Sequence, residues 1–266
     1  MSTNDLEKLC TQVQQVAREA GAFIRREREQ FDVASVEIKG RNNFVTHVDK
    51  ASERMVVEGL SSLLPGAGFI TEEDATRERG TEYDWIIDPL DGTTNFIHGL
   101  PCFCVSIGLA RNNEPLLGVI YEVNLDECFY AWKGGGAYLN GKQIHVSKTK
   151  QLSDALTATG FPYDTGAKRE QYLGLFGELL QRARGLRRIG SAATDMAYVA
   201  CGRFDAFYEY GLNPWDVAAG AVIVQEAGGA VIDFDGGNNF LFGKQLICGT
   251  PPVAEELRTI AEKYFK

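Results

Sequence analysis

The stretch WIIDPLDGTTNF, residues 85–96, joins an apolar strand to two carboxylates. Three large apolar residues lead into Asp88, and Pro89 then fixes the backbone without donating a hydrogen bond. We expect Asp91 to lie one turn further along, so that the two carboxylates can share one divalent cation or bridge two. The N–H groups of residues 92–94 would then be free, at a turn or a helix start, to bind a phosphate oxygen.

Other acidic residues stand at the predicted ends of strands or starts of helices, namely Asp49, Glu72 with Glu73, and Asp216. Hard cations such as Mg²⁺ prefer a few carboxylates together with waters and phosphate oxygens. A simple turn is the alternative, because Asp-Pro and Asp-Gly are common turn pairs. That alternative explains neither the Thr-Thr-Asn that follows nor the acidic sites elsewhere, so the sequence favours a magnesium site.

Composition limits the class of protein. The 266 residues are 44% hydrophobic and 24% charged, which is typical of a soluble globular chain. No segment approaches the roughly 18 apolar residues of a membrane span, and the first residues lack the apolar run of a signal peptide. A net charge of −9 makes nucleic acid an unlikely partner. We therefore predict a cytoplasmic protein without membrane association, whose six scattered cysteines are buried thiols.

Hydrophobic periodicity predicts a mixed α/β fold. Helices are expected to start at Asn4, paired with Glu7, and near Asp49 as a cap. Short strands follow, and from about residue 156 strands and helices alternate, which implies sheets covered by helices. The glycine-rich stretch 133–141 lacks the Gly-Lys-Ser/Thr ending of a phosphate loop, so we predict hairpin turns there. Since no linker divides the chain, we predict a single domain over residues 1–266.

Several separated motifs carry a family resemblance. DPLDGTTN at 88–95, ITEE at 70–73 and NPWDVAAG at 213–220 resemble the inositol monophosphatase family, as do NFVTHVD at 43–49 and GSAA at 190–193. The resemblance covers almost the whole chain. It implies an α/β (α+β) fold, the layered αβαβα sandwich of the inositol monophosphatase and fructose-1,6-bisphosphatase type. It also implies a Mg²⁺-dependent, lithium-sensitive phosphoric monoester hydrolase, with inositol-1-monophosphate as the first expected substrate and a homodimer as the assembly.

The resemblance also implies roles for individual residues. Two to three Mg²⁺ ions are expected on five residues: Glu72, Asp88 and the carbonyl of Leu90 for the first, Asp88, Asp91 and Asp216 for the second, and Glu72 near a third. The residues expected to activate the attacking water are Asp49, Thr93 and Glu72. Substrate contacts are expected from Gly92, Thr93, Gly190, Ser191, Ala192, Glu209 and Asp216.

One departure from the animal inositol enzymes leaves the alcohol open. Asn213 stands where they carry histidine, in the segment expected to face the substrate. Fructose 1,6-bisphosphate, histidinol phosphate and a 3′-phosphonucleotide therefore remain alternative substrates. A regulatory protein associated with RNA polymerase is a further alternative. The basic cluster that could serve it, Arg182, Arg184, Arg187 and Arg188, is interpreted as a solvated helix end or a subunit contact.

Overall fold

The computed structural model describes residues 1–31, 37–40, 43–74, 78–162 and 168–265. Its helices are α1 Thr3–Glu29, α2 His47–Leu63, α3 Thr93–His98, α4 Arg169–Arg182, α5 Ala192–Ala200, α6 Pro214–Glu226 and α7 Pro251–Phe265. Its strands are β1 Glu37–Gly40, β2 Asn43–Val45, β3 Gly68–Thr71, β4 Tyr83–Asp91, β5 Cys104–Arg111, β6 Glu114–Glu122, β7 Glu127–Trp132, β8 Gly136–Leu139, β9 Lys142–Ile144, β10 Leu156–Thr159, β11 Gly185–Arg187, β12 Ala206–Tyr210, β13 Ala230–Ile232 and β14 Gln245–Gly249.

The larger sheet has seven strands in the order of the chain, β3 to β9. Strand β3 is parallel to β4, and every later pair is antiparallel. The pairing of β4 with β5 is regular up to Asp88 and resumes, shifted, at Asp91. Such an irregularity re-aims side chains at the end of a strand. The two carboxylates therefore emerge where the ladder is disturbed by Pro89.

The residues of β4 alternate between two cores. Trp85 and Ile87 are buried with α1 and α2 on one face, whereas Ile86 is buried on the other face with α5 and α6. This follows from the two-residue period of a strand. The strand is thus covered by helices on both sides, which explains its unbroken apolar run.

The smaller sheet has five strands in the order β11-β10-β12-β14-β13. One of its faces packs on α5 and α6, and the other is covered by α4 and α7. The layers therefore run α1/α2, large sheet, α5/α6, small sheet, α4/α7. This confirms the predicted αβαβα sandwich.

Helix α6 lies unusually close to the large sheet. A Cβ atom on Gly118 of β6 would stand 2.2 Å from the carbonyl oxygen of Ala219 in α6. Only glycine allows this approach, because any larger side chain would meet backbone. The contact fixes the helix whose first turn carries Asp216.

Some local predictions need correction. Helix α1 is capped by Ser2 with Asp5, not by Asn4 with Glu7. Helix α2 is capped by Thr46, and Asp49 is the third residue of that capping box rather than the cap. In both cases the preceding Ser or Thr offers a side-chain oxygen to the free N–H groups of the first turn. Strand β14 was not predicted.

The predicted hairpin turns are confirmed. Residues 136–144 form the hairpin of β8 and β9, in which Asn140 and Gly141 have φ of 47° and 82°, as a two-residue hairpin turn requires. The six cysteines are free thiols, but only four are buried as predicted, because Cys102 and Cys201 are partly exposed. None of the helices in the described ranges combines the length and the hydropathy of a membrane span.

Candidate active site

A cavity of about 180 Å³ opens between the two sheets. It is lined by side chains from β4, α3, α5, β12, the start of α6 and the loops beside them. Among the described residues on its walls, one is basic, Arg188, and six are acidic: Glu72, Asp88, Asp91, Asp195, Glu209 and Asp216. The structure thus brings together every predicted metal ligand, including Leu90, and every predicted substrate contact.

Asp49 is the predicted site residue that does not line the cavity. It is 1% exposed in the first turn of α2. Its Oδ2 accepts hydrogen bonds from the N–H and hydroxyl of Thr46, at 2.8 and 2.5 Å. Its Oδ1 accepts from the hydroxyl of Thr93, at 2.9 Å, and Thr93 does line the cavity. Asp49 therefore reaches the cavity through Thr93.

The residue after β4 begins a short helix. Gly92 has a φ of 97°, a left-handed conformation that favours glycine, and α3 follows directly. Asn95 in this helix donates from Nδ2 to the carbonyls of Cys102 and Ile189, both at 2.8 Å. The second of these bonds joins the acidic loop of the large sheet to the segment that leads into α5. Asn95 thereby holds the two halves of the cavity together.

The start of α5 binds Asp91 rather than leaving all its donors to a substrate. Oδ2 of Asp91 accepts from the hydroxyl of Ser191 and from the N–H of Ala193, both at 2.7 Å. Such bonds stabilise a carboxylate at a helix N-terminus. Ser191 was predicted to contact the substrate. It lines the cavity, and its hydroxyl in this structure also positions the predicted metal ligand Asp91.

Burial and mutual repulsion raise the pKa values of the cavity carboxylates. Burial and the neighbouring charges of Glu72, Asp91 and Asp216 raise the pKa of Asp88 well above its ordinary value. Burial also raises the pKa of Asp91, against the hydrogen bonds from α5 that lower it. Burial and then the charge of Asp91 raise the pKa of Asp216 well above its ordinary value. Unneutralised, these groups repel one another and hold protons.

This donor set fits magnesium, which binds through carboxylate and carbonyl oxygens. The described residues contain no group of three or more histidine, cysteine, aspartate or glutamate side chains already arranged to hold a metal ion. The fit therefore rests on charge and burial: several buried carboxylates face one cavity, and Arg188 alone among its described lining residues can offset them. Divalent cations would supply the missing positive charge.

Among the cavity carboxyls, that of Glu209 has the clearest expected effect on how the free energy of unfolding changes with pH. Burial, opposed by the charge of Arg188, raises its pKa from 4.5 to about 8. Between these two values the folded protein keeps a proton that the unfolded chain has released. The contribution of this carboxyl to the free energy of unfolding is therefore full below about pH 4.5 and is lost as the pH rises through 8. We expect Glu209→Gln to flatten the fall in unfolding free energy over this range, by up to about 1.4 kcal/mol per pH unit.

Urea unfolding of the metal-free protein in chelator, at several pH values between about 5 and 8, measures this effect. The difference between wild type and Glu209→Gln reports the Glu209 carboxyl together with the effect of its charge on the pKa of Asp195 and Asp216. Parallel curves for the two proteins would contradict the assignment.

Two residues that line the cavity were missed from the sequence. Arg188 was grouped with the other arginines of a helix end, but it lines the cavity with its guanidinium 5.3 Å from the ring of Phe161. Asp195 lies one turn into α5, is 1% exposed, and has an Oδ1 without a hydrogen-bond partner among the described residues. Asp195 follows Ala192 of the GSAA segment by three residues, so the two share one helix face. That spacing was the signal available in the sequence.

Fold and cavity together define a layered sandwich of the inositol monophosphatase and fructose-1,6-bisphosphatase type. The chain belongs to the inositol monophosphatase family, whose sequence profile matches residues 5–264. It is 43% identical over 243 residues to the Nus factor SuhB of Escherichia coli, covering 91% of each chain. It is 38% identical over 250 residues to the inositol-1-monophosphatase of Mesorhizobium japonicum, covering 94% of each. The inositol monophosphatase structure from Anabaena superposes with a TM-score of 0.86 at 37% identity, covering 97% of each.

Proposed function

We propose that the protein is a Mg²⁺-dependent phosphomonoesterase that releases phosphate from a small phosphorylated polyol, with inositol-1-monophosphate as the first candidate. The observation that carries the proposal is the convergence of Glu72, Asp88, Asp91 and Asp216 on one cavity beside Thr93. Membership in the inositol monophosphatase family supports hydrolysis. The name of the Mesorhizobium relative supports inositol phosphate as the substrate.

The proposal assigns two to three Mg²⁺ ions to the acidic side of the cavity. Glu72, Asp88 and the carbonyl of Leu90 would hold one, Asp88, Asp91 and Asp216 a second, and Glu72 would stand near a third. When bound, magnesium supplies positive charge for the phosphoryl oxygens and makes water more acidic. The hydrogen bonds from α5 leave the other oxygen of Asp91 for this role.

Thr93 and Asp49 would prepare the attacking water. Because the Thr93 hydroxyl donates to buried Asp49, the lone pairs of its oxygen are left to accept a hydrogen bond from water in the cavity. As that water attacks, its proton would pass to the Thr93 oxygen while the hydroxyl proton passes to Asp49. The hydroxyl also lies 3.0 Å from the carbonyl of Leu90, so its position is fixed on two sides. The N–H groups of Gly92 and Thr93 would bind phosphate oxygens, and attack in line would then expel the alcohol.

The opposite wall of the cavity would bind the alcohol. Gly190, Ala192 and Glu209 line it. Burial raises the pKa of the Glu209 carboxyl to about 8 in the metal-free protein, and its oxygens can accept hydrogen bonds from the hydroxyls of a polyol. Together with Asn213 these residues would select the alcohol.

A second candidate substrate is an ester with an aromatic group, such as a 3′-phosphonucleotide. The observation in its favour is Phe161, which is 48% exposed, lines the cavity and has Arg188 over its ring. An exposed ring of this kind can stack on a base.

A regulatory protein associated with RNA polymerase is the alternative of a different class, and the Escherichia coli relative is named a Nus factor. The exposed positive charge that such a function would use is only partly available. Arg182 is paired with Glu178 and Glu256, and Arg184 with Asp154, so part of the basic cluster is already neutralised. We accordingly propose that the phosphatase is a cytoplasmic homodimer that does not bind nucleic acid. Family membership is the support for this part of the proposal.

A panel of phosphate esters assayed with and without Mg²⁺ tests the proposal. We expect phosphate release from inositol-1-monophosphate to require Mg²⁺, to be inhibited by lithium, and to exceed release from fructose 1,6-bisphosphate, histidinol phosphate and 3′-phosphonucleotides. A higher kcat/KM for the nucleotide would favour the second candidate. Tight binding of RNA polymerase with no hydrolysis of any ester would overturn the proposal.

A further inference from the structure

Helix α2 carries a buried polar face that the proposed chemistry uses only in part. Asp49, Ser52 and Glu53 are 1%, 0% and 2% exposed. They are three and four residues apart, so they share one side of the helix. Glutamate and aspartate are seldom buried to this degree unless they are paired. Burial of two carboxylates and a hydroxyl on one face therefore calls for partners on the segments packed against it.

The three side chains bind three different segments of the proposed metal site. Asp49 accepts from Thr93 at 2.9 Å. The hydroxyl of Ser52 donates to the carbonyl of Pro89, between Asp88 and Leu90, also at 2.9 Å. Oε2 of Glu53 accepts from the N–H of Glu73, again at 2.9 Å. A single rigid helix thus contacts the backbone beside each expected ligand of the first Mg²⁺.

The contact from Glu53 tethers the backbone beside Glu72. Residues 72–74 follow the end of β3 and belong to no helix or strand. The turn is closed on itself by the Thr71 hydroxyl, which donates to the carbonyl of Asp74 at 3.1 Å. Beyond that, the bond between Glu73 and Glu53 ties it to α2. Glu72 is the immediate neighbour of the tethered peptide, so its side chain starts from a fixed backbone position.

We propose that Glu53 is a positioning residue that holds the backbone beside Glu72 at a fixed separation from Asp88, and so sets the affinity of the site for Mg²⁺ rather than the rate of the chemical step. This inference rests on the proposed magnesium site. Residues that orient metal ligands contribute to affinity because they remove the need to order the ligands on binding. Glu53 does not line the cavity, and its bond to the N–H of Glu73 is the path by which it would act on the metal site.

Calorimetric titration of the full-length protein with MgCl2 tests the inference, alongside the Mg²⁺ dependence of phosphate release. We expect Glu53→Ala to raise the Mg²⁺ dissociation constant roughly 10- to 100-fold, while kcat at saturating Mg²⁺ stays near that of wild type. Glu53→Gln should show a smaller shift in the same direction, because its amide oxygen can still accept from the N–H of Glu73.

Asp233→Asn is the matched control for Glu53→Gln. Asp233 is likewise a buried carboxylate that accepts backbone hydrogen bonds, among them one from Gly237 at 2.7 Å, but it does not line the cavity. Its Mg²⁺ affinity should equal that of wild type. Unchanged affinity in Glu53→Ala and Glu53→Gln would overturn the inference, as would a loss of kcat at unchanged affinity. A wild-type protein that neither binds Mg²⁺ nor releases phosphate would overturn the proposed function and this inference with it.

Discussion

Asp91→Asn is expected to abolish Mg²⁺-dependent phosphate release. The change removes one anionic ligand from the proposed second ion, which Asp91 shares with Asp88 and Asp216. Charge stabilisation by a bound metal is worth several kcal/mol, so we expect kcat to fall on the order of 10³-fold or more. Steady-state phosphate release over a range of MgCl2 concentrations measures this effect.

The same variant should keep its fold. In the wild type, Ser191 and Ala193 donate hydrogen bonds to Oδ2 of Asp91. An asparagine side-chain oxygen at this position can still accept both. Removal of one buried negative charge also relieves repulsion with Asp88, whose pKa is raised by burial and by its acidic neighbours. We therefore expect the metal-free melting temperature to be equal to or above that of wild type. Asp126→Asn, at an exposed ion pair with Arg18, is the control. Wild-type turnover in Asp91→Asn would refute the metal assignment.

Thr93→Val is expected to lower kcat by about 10²- to 10⁴-fold, the contribution typical of a positioned proton acceptor. Valine keeps the branched shape of threonine but removes the hydroxyl that connects Asp49 to the cavity. Because Thr93 is not among the proposed metal ligands, Mg²⁺ affinity should change little. The pair of measurements is kcat at saturating Mg²⁺ and the calorimetric Mg²⁺ dissociation constant.

Thr94→Val provides the matched comparison for this prediction. Thr94 is the next residue, is exposed, and does not line the cavity. Thr93→Ser should restore much of the activity, because it returns a hydroxyl at the same place. Equal turnover in Thr93→Val and Thr94→Val would show that the link from Asp49 through Thr93 has no part in catalysis.

The elements that carry the predicted ligands could be placed from the sequence because their patterns are strong. Strand β4 has an unbroken apolar run that ends at Asp88, and α6 begins at Pro214, a residue suited to the first turn of a helix. Strand β14, by contrast, is five residues long and follows the glycine- and asparagine-rich stretch 236–243, so no period marks it. Strong periodicity survives without tertiary information, whereas short strands depend on it.

The supporting residues could not be predicted for a different reason. Asn95, Ser52 and Glu53 act on backbone groups of segments distant in the chain. Nothing in their local sequence shows which carbonyl or N–H will lie opposite, since that depends on the packing of α2 and on the approach of the two sheets. Ser191 illustrates the same limit: its motif placed it at the site, but its partner, Asp91, appears only in the fold.

Crystals soaked in Mn²⁺, which takes the same oxygen ligands as Mg²⁺, would locate the ions by anomalous scattering. We predict one peak among Asp88, Asp91 and Asp216 and another between Glu72 and Asp88, next to the carbonyl of Leu90. A map with no peak in this cavity at saturating Mn²⁺, or with the carboxylates turned away from any bound ion, would contradict the account.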